Sequence, residues 1–175
     1  MSTATVNLDE LKTHIGRTQT TTDVLHAGPA NLLRLALSRP EPEMKDGDAL
    51  PHAWLTLYFL PRFGPQQLRP DGAPGDSGVV PKMPLPRRMF AGERQRFHRP
   101  LRLGETVRRE TELTDISVKS GGTGMLVFAT TLSRFLGADG ALAVEEERRG
   151  VFREEVKAGD KNQAPRRDPA PADVP

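Results

Sequence analysis

From residue 89 to residue 153, long runs of β-forming residues alternate with short turn signals, so the main body of the chain reads as a meandering antiparallel sheet. The runs occupy 89–101, 106–119, 125–136 and 142–153, and the breaks fall at Leu103-Gly104-Glu105, Gly121-Gly122 and Ala138-Asp139-Gly140. Breaks this short reverse a strand but cannot hold the crossover helix that parallel neighbours need. One strong helix precedes them, over 28–38. Leu32, Leu33, Ala36 and Leu37 recur at helical spacing, Pro29 suits a first helical position, and Pro40 ends the run. Leu35 spreads the apolar surface over most of the girth, so the helix is expected to be enclosed by sheet. The expected fold is α+β, an antiparallel sheet wrapped around one central helix.

The remaining segments are read around this frame. Residues 1–20 are polar apart from a short amphipathic piece over 8–15, and Thr20-Thr21-Thr22-Asp23 offers helix-capping side chains. Residues 50–60 are rich in β-formers and bounded by Pro51 and Pro61. Proline and glycine dominate 61–86, an irregular excursion of a length that is usually functional or mobile. From 158 onward the chain is charged and proline-rich without apolar periodicity, which reads as an extended linker. The expected organisation is one domain over 1–156 followed by a tail over 157–175. No repeat suggests a solenoid, and no glycine pattern joins a strand to a helix as a nucleotide-binding loop would.

Composition narrows the chemistry. At 175 residues the chain holds one real core but not comfortably two. It has no cysteine, which removes disulfides, thiolate nucleophiles and cysteine metal sites. The pI near 9.2 invites nucleic acid as a partner, but the net charge is only +2. One tyrosine and one tryptophan make a poor stacking surface, so neither nucleic acid nor membrane is expected as a partner. The first residues lack the basic-then-apolar order of a signal peptide, and no apolar stretch nears the roughly 20 residues of a membrane span. A cytoplasmic location is the expectation.

The string Pro84-Leu85-Pro86-Arg87-Arg88-Met89-Phe90-Ala91-Gly92, then Phe97 and Pro100-Leu101-x-x-Gly104-Glu105, resembles the N-terminal hot-dog domain of MaoC-like acyl-CoA hydratases. This is the fungal-fatty-acid-synthase-like domain found in mesaconyl-C4-CoA hydratases and in 3-hydroxyacyl-thioester dehydratase. The match continues through Asp115-x-x-x-Lys119-x-Gly121-x-x-Gly124-x-Leu126-x-Phe128 and covers roughly residues 9–155. The resemblance implies a hot-dog fold and two such halves packed side by side, with an acyl-CoA between them. It also implies an Asp and a His, in a D-x-N-P-x-H string of the second half, that activate water for addition to the double bond. Backbone N–H groups at a helix N-terminus then polarise the thioester carbonyl. No metal or redox cofactor is implied; coenzyme A enters as part of the substrate.

Two departures follow. Glu93 stands where a second glycine is expected after Ala91, and it would be strained if that backbone needs positive φ. No D-x-N-P-x-H string occurs, and the chain ends in what reads as the linker to the second half. Asp23 and His26, three apart just before the helix, are the nearest thing to an acid/base pair; the alternative is capping by Asp23 and a partly exposed His26. Arg87 and Arg88 are candidate anchors for a phosphate or an acyl carboxylate, or else braces for the preceding loop. Gly92, closing the family string, and Lys119, facing coenzyme A phosphates, complete the candidate substrate-binding set. His14, His52 and His98 lack metal-site spacing; His98 is expected at the surface and His52 half-buried. Glu145-Glu146-Glu147 reads as a solvated edge that resists strand pairing.

Three functions remain. The first is a hydratase/dehydratase component for enoyl- or 3-hydroxyacyl-CoA, of mesaconyl-CoA type. It would work as a homodimer or as a heterodimer with a catalytic MaoC-type hot-dog subunit. The others are a non-catalytic acyl-CoA-binding module, and a hot-dog thioesterase using Asp23.

Overall fold

The computed structural model describes residues 7–60, 63–68, 72, 78–121 and 124–154; the expected tail over 157–175 lies outside them. The chain runs through α1 (Leu8–Lys12), β1 (Thr18–Val24), α2 (Ala27–Ala36), β2 (Arg87–Phe97), β3 (Thr106–Gly121), β4 (Gly124–Leu136) and β5 (Leu142–Arg153). The five strands form one antiparallel sheet in the order β1-β3-β4-β5-β2. The meander β3-β4-β5 is its centre, as the turn signals require, and the two earlier strands close its two edges.

Three local expectations are corrected. The threonine run does not cap α2: β-branched threonines favour extended backbone, and Thr18–Val24 pairs along β3 as an edge strand. The helix N-cap is His26, whose side chain makes no capping bond. Within 50–60, Trp54–Leu57 forms a 3-10 turn, entered through Ala53 at φ +67. The acidic run Glu145–Glu147 lies on β5, an interior strand paired on both sides, so it is no edge. Arginines opposite it remove the like-charge penalty: Glu145 faces Arg96 and Arg134, and Glu147 faces Arg94.

Cross-strand register divides the sheet into two faces. The outer face carries Glu110, Glu112, Arg134, Glu145, Arg149 and Arg94, with ion pairs such as Arg134–Glu145 at 3.8 Å. The inner face carries the core, in two clusters. One gathers Leu25, Trp54, Tyr58, Phe59, Val107, Phe135 and Val144. The other, towards the opposite end of the strands, gathers Val80, Leu85, Leu113, Ile116, Val127 and Phe152. Helix α2 joins the first cluster through Ala27, Ala30 and Leu33. Its enclosure is less than its composition suggests: Ala30 is its only buried residue, and Leu32, Leu35 and Leu37 are exposed.

The first cluster is tied to edge strand β1 by Asp23. One carboxylate oxygen accepts the Val24 N–H at 2.9 Å and the other accepts the Phe59 N–H at 2.8 Å. Phe59 adopts φ +56, a conformation that costs a phenylalanine on the order of 1 kcal/mol. The Asp23 bond holds the backbone there, with the Phe59 ring edge-on to Phe135 at 5.4 Å. Beside it the Tyr58 hydroxyl donates to the His26 carbonyl at 2.7 Å, fixing the same loop to the start of α2. Removing the acceptor strands a half-buried N–H. Asp23→Ala should therefore destabilise the fold by about 1.5–3 kcal/mol, and Asp23→Asn by clearly less, in urea melts followed by far-UV circular dichroism.

Candidate functional site

The inner face is apolar at both ends and polar across its middle. Register places Thr21 opposite Arg109, Thr111 opposite Ser133, Ser133 opposite Glu146 and Glu146 opposite Gln95. One row further along, Thr131 faces Arg148, which faces Glu93. These residues form a belt that crosses all five strands between the two apolar clusters.

The β2 end of the belt is saturated with bonds. Arg148 meets Glu93 with Nη2 at 2.7 Å and Nε at 2.8 Å. The Gln95 amide bridges both carboxylates, donating to Glu93 at 2.6 Å and to Glu146 at 3.1 Å. Burial pushes the Glu146 carboxyl up from the ordinary carboxylate range; Arg148 opposes this and Glu93 adds to it. In the middle, the Thr111 and Ser133 hydroxyls bond each other at 2.9 Å, with Ser133 buried.

The β1 end is different. Arg109 is half-buried, and its Nε donates to Thr21 Oγ1 at 3.1 Å. Its guanidinium lies over the Phe59 ring, 4.9 Å from the centroid. Burial depresses its basicity, with Glu146 opposing the shift. No carboxylate among the described residues lies within ion-pair distance of it. The belt thus presents a desolvated cation at one end and a clamped pair of carboxylates at the other.

The residues singled out from sequence do not converge on one place. Asp23 sits on the inner face opposite Val107, both oxygens engaged by main-chain N–H groups. His26 is exposed, and its side chain makes no hydrogen bond to a described residue. Arg87 and Lys119 lie at the other end, on the outer-face row Lys119–Leu126–Arg153–Arg87. Twelve residues of β3 separate that row from Val107, about 40 Å of strand at about 3.3 Å per residue. Arg88 is on the opposite face from Arg87, its guanidinium 5.9 Å from the centre of the Phe152 ring, and Lys119 Nζ is 5.5 Å from that of Phe128. Gly92 takes φ +149 beside the register shift of β2, a conformation that suits glycine, while Glu93 has no positive φ and carries no strain. His98 is exposed, bonding Glu145 at 3.1 Å. His52 is exposed rather than half-buried, because it stacks on Phe97 at 4.0 Å at the rim of the first cluster.

Sequence reasoning missed Arg109, Glu146, Arg148 and Glu93 as a group. The signal was present in the period-two phase: in Val107-x-Arg109-x-Thr111-x-Leu113 and Val144-x-Glu146-x-Arg148-x-Gly150-x-Phe152, charges occupy the apolar phase of the strand.

A meandering antiparallel sheet with one helix seated on its inner face is a hot-dog fold, and the comparisons agree. The chain superposes on a chain of the ChsH1–ChsH2 complex from Mycobacterium tuberculosis with a TM-score of 0.58 and 18% identity, covering 87% of this chain and 92% of that one. The HadBC 3R-hydroxyacyl-ACP dehydratase complex of the same organism gives 0.52 at 10% identity, over 78% and 96% of the two chains. The family model for hydroxyacyl-thioester dehydratase type 2 matches residues 53–174, and the chain belongs to that family. It is 41% identical over 140 residues to mesaconyl-C(4)-CoA hydratase from Chloroflexus aurantiacus. That alignment takes in 80% of this chain and 50% of the relative, so the chain spans about half the relative's length.

The belt makes one pH prediction. A carboxyl whose folded pKa is raised stabilises the fold while protonated, and that contribution is lost as pH rises from the ordinary carboxylate range through the folded value. Glu146→Gln should therefore raise stability at pH 8 by a few tenths to about 1 kcal/mol. The gain should shrink towards zero near pH 4, as measured by melts across that range.

Proposed function

We propose that this chain is one hot-dog half of a hydro-lyase acting on enoyl-CoA or 3-hydroxyacyl-CoA thioesters, with a mesaconyl-CoA-like acyl group, and that a second, MaoC-type hot-dog domain supplies the proton-transfer groups. The observation that carries the reading is 41% identity, over 140 residues, to a hydratase about twice as long as the aligned stretch. In hydration, water oxygen bonds to the β-carbon, the α-carbon takes a proton, and the thioester oxygen carries the transient enolate charge. Such a step needs a free acid/base pair. Here both Asp23 oxygens are committed to Val24 and Phe59, and His26 has no bond to orient its ring.

The same commitment weighs against a thioesterase built on Asp23 and favours a binding and shaping role for this half. The exposed Leu32 and Leu35 of α2, with Leu37 at its C-cap, give a second hot-dog domain an apolar surface to cover, in a homodimer or a heterodimer. The row Lys119–Arg153–Arg87 is the proposed contact for coenzyme A phosphates, with Arg88 and the Gly92 bend beside it at the same end of the sheet.

Two measurements test this. Hydration of mesaconyl-CoA or crotonyl-CoA, followed by loss of the enoyl-thioester absorbance, should be negligible with the chain alone. It should appear when a hot-dog domain carrying a D-x-N-P-x-H string is added. Turnover by the isolated chain would overturn the division of labour, and release of free thiol abolished by Asp23→Asn would establish the thioesterase instead. Lys119→Ala and Arg87→Ala should each weaken coenzyme A thioester binding several-fold at low salt, with the difference fading near 1 M salt, where the Debye length is about 3 Å. Unchanged affinity in both, and in Arg88→Ala, would remove this end of the sheet from the binding surface.

A further inference from the structure

We infer that Arg109 is the recognition group for a free carboxylate on the acyl chain of the thioester. This residue would make the inner face selective for dicarboxylic monothioesters over plain enoyl ones. The inference deepens the hydratase reading, and its thioester part rests on that reading.

A guanidinium carries five N–H groups, and Arg109 spends only its Nε on a described residue, Thr21. Its Cζ lies over the Phe59 ring, 4.9 Å from the centroid, and no described residue accepts from the terminal nitrogens of the guanidinium plane. That plane is what a carboxylate meets bidentately, with two parallel bonds. Neither terminal nitrogen bonds a described residue, and the carboxylates whose field reaches the guanidinium are engaged elsewhere. Glu93 is held by Arg148, Glu146 by Gln95, and both oxygens of Asp23 by main-chain N–H groups. The guanidinium is thus fixed in place by Thr21 and Phe59 with its acceptor position unfilled by any described carboxylate.

The surroundings select the anion. Arg109 shares its cross-strand row with Phe135 and Val144, and the next row brings the Thr111 and Ser133 hydroxyls. Apolar side chains therefore flank the cation on one side and neutral hydroxyls on the other, which suits a short carbon chain ending in a carboxylate. A dianionic phosphate would meet the field of Glu146 and Asp23, both of which act on Arg109. Lysine would not replace it, since a point charge keeps the attraction but loses the planar fork and the stacking on Phe59.

The test is isothermal titration of the full chain with three probes: mesaconyl-CoA, crotonyl-CoA and free mesaconate. The wild type should bind mesaconyl-CoA at least about 10-fold more tightly than crotonyl-CoA. Arg109→Met should erase that preference, lowering mesaconyl-CoA affinity about 10-fold or more while crotonyl-CoA affinity changes by less than about threefold. Arg109→Lys should retain an intermediate preference, and matched circular dichroism spectra establish that both variants fold. Equal affinity of the wild type for the two thioesters, or equal losses for both in Arg109→Met, overturns the site and leaves the hydratase reading intact. If neither thioester binds but mesaconate does, and Arg109→Met abolishes it, the carboxylate site stands and the thioester reading falls. If no carboxylate-bearing probe binds, the inference is wrong.

Discussion

The Asp23 carboxylate is the constraint on which this half of the inner face depends. It joins an edge strand with almost no apolar residues to a loop that would not hold its shape unaided, since Phe59 occupies a left-handed conformation. Through that bond the Phe59 ring is set against Phe135 and beneath Arg109. The carboxylate acts at one remove from any ligand, as a strut for a ring that in turn positions a cation. A charged acceptor suits the task because a bond to an ionised group is stronger than a neutral one, and the main-chain donor it satisfies is sheltered from water.

The belt between the two clusters has the character of a binding surface more than of a core. A sheet built for stability alone would continue Val107, Leu113 and Phe135 as an unbroken apolar face. Here Arg109, Glu146 and Arg148 interrupt it, and burial both depresses the basicity of Arg109 and pushes the Glu146 carboxyl up. Groups kept at a cost in desolvation are those worth examining for function. The match to the hydroxyacyl-thioester dehydratase family takes in β2 to β5 of the belt, and the chain spans about half the length of the hydratase it resembles.

How much of this could be read in the sequence depended on whether the signal was local. The sequence marks a strand over 142–153 and β5 runs over Leu142–Arg153, because glycine turns and β-branched runs carry their own punctuation. The helix over 28–38 appears as Ala27–Ala36, displaced slightly because its start is set by the chain leaving β1 and not by Pro29. Edge strand β1 is not legible in the sequence, since Thr-Gln-Thr-Thr-Thr-Asp-Val has no apolar alternation and only pairing with β3 makes it a strand. The segment around Trp54 went the other way: strong β-formers were bent into a 3-10 turn by tertiary packing. Asp23, Arg87, Arg88 and Lys119, the side chains that stand out in the sequence, all lie outside the belt: Asp23 is opposite Val107, and the others lie at the far end of the sheet. The belt arises from residues on five strands, so it exists only once register is known. The acidic run hid it further, because Glu146 points inward while its neighbours Glu145 and Glu147 point outward.

Two of the three interruptions of register, those at Phe90/Gly92 and at Leu113/Asp115, have a consequence for how this chain can vary. Each adds one residue, Ala91 or Thr114, opposite none. Because side chains alternate with a period of two, each extra residue acts as a parity switch. It is what lets Phe90 and Glu93 face inward on one strand, and Leu113 and Ile116 on another. Loss of either single residue would turn the far half of its strand inside out, sending apolar groups to water and charges to the core. Loops of this protein can lengthen or shrink by small steps, whereas these two positions can change only in pairs.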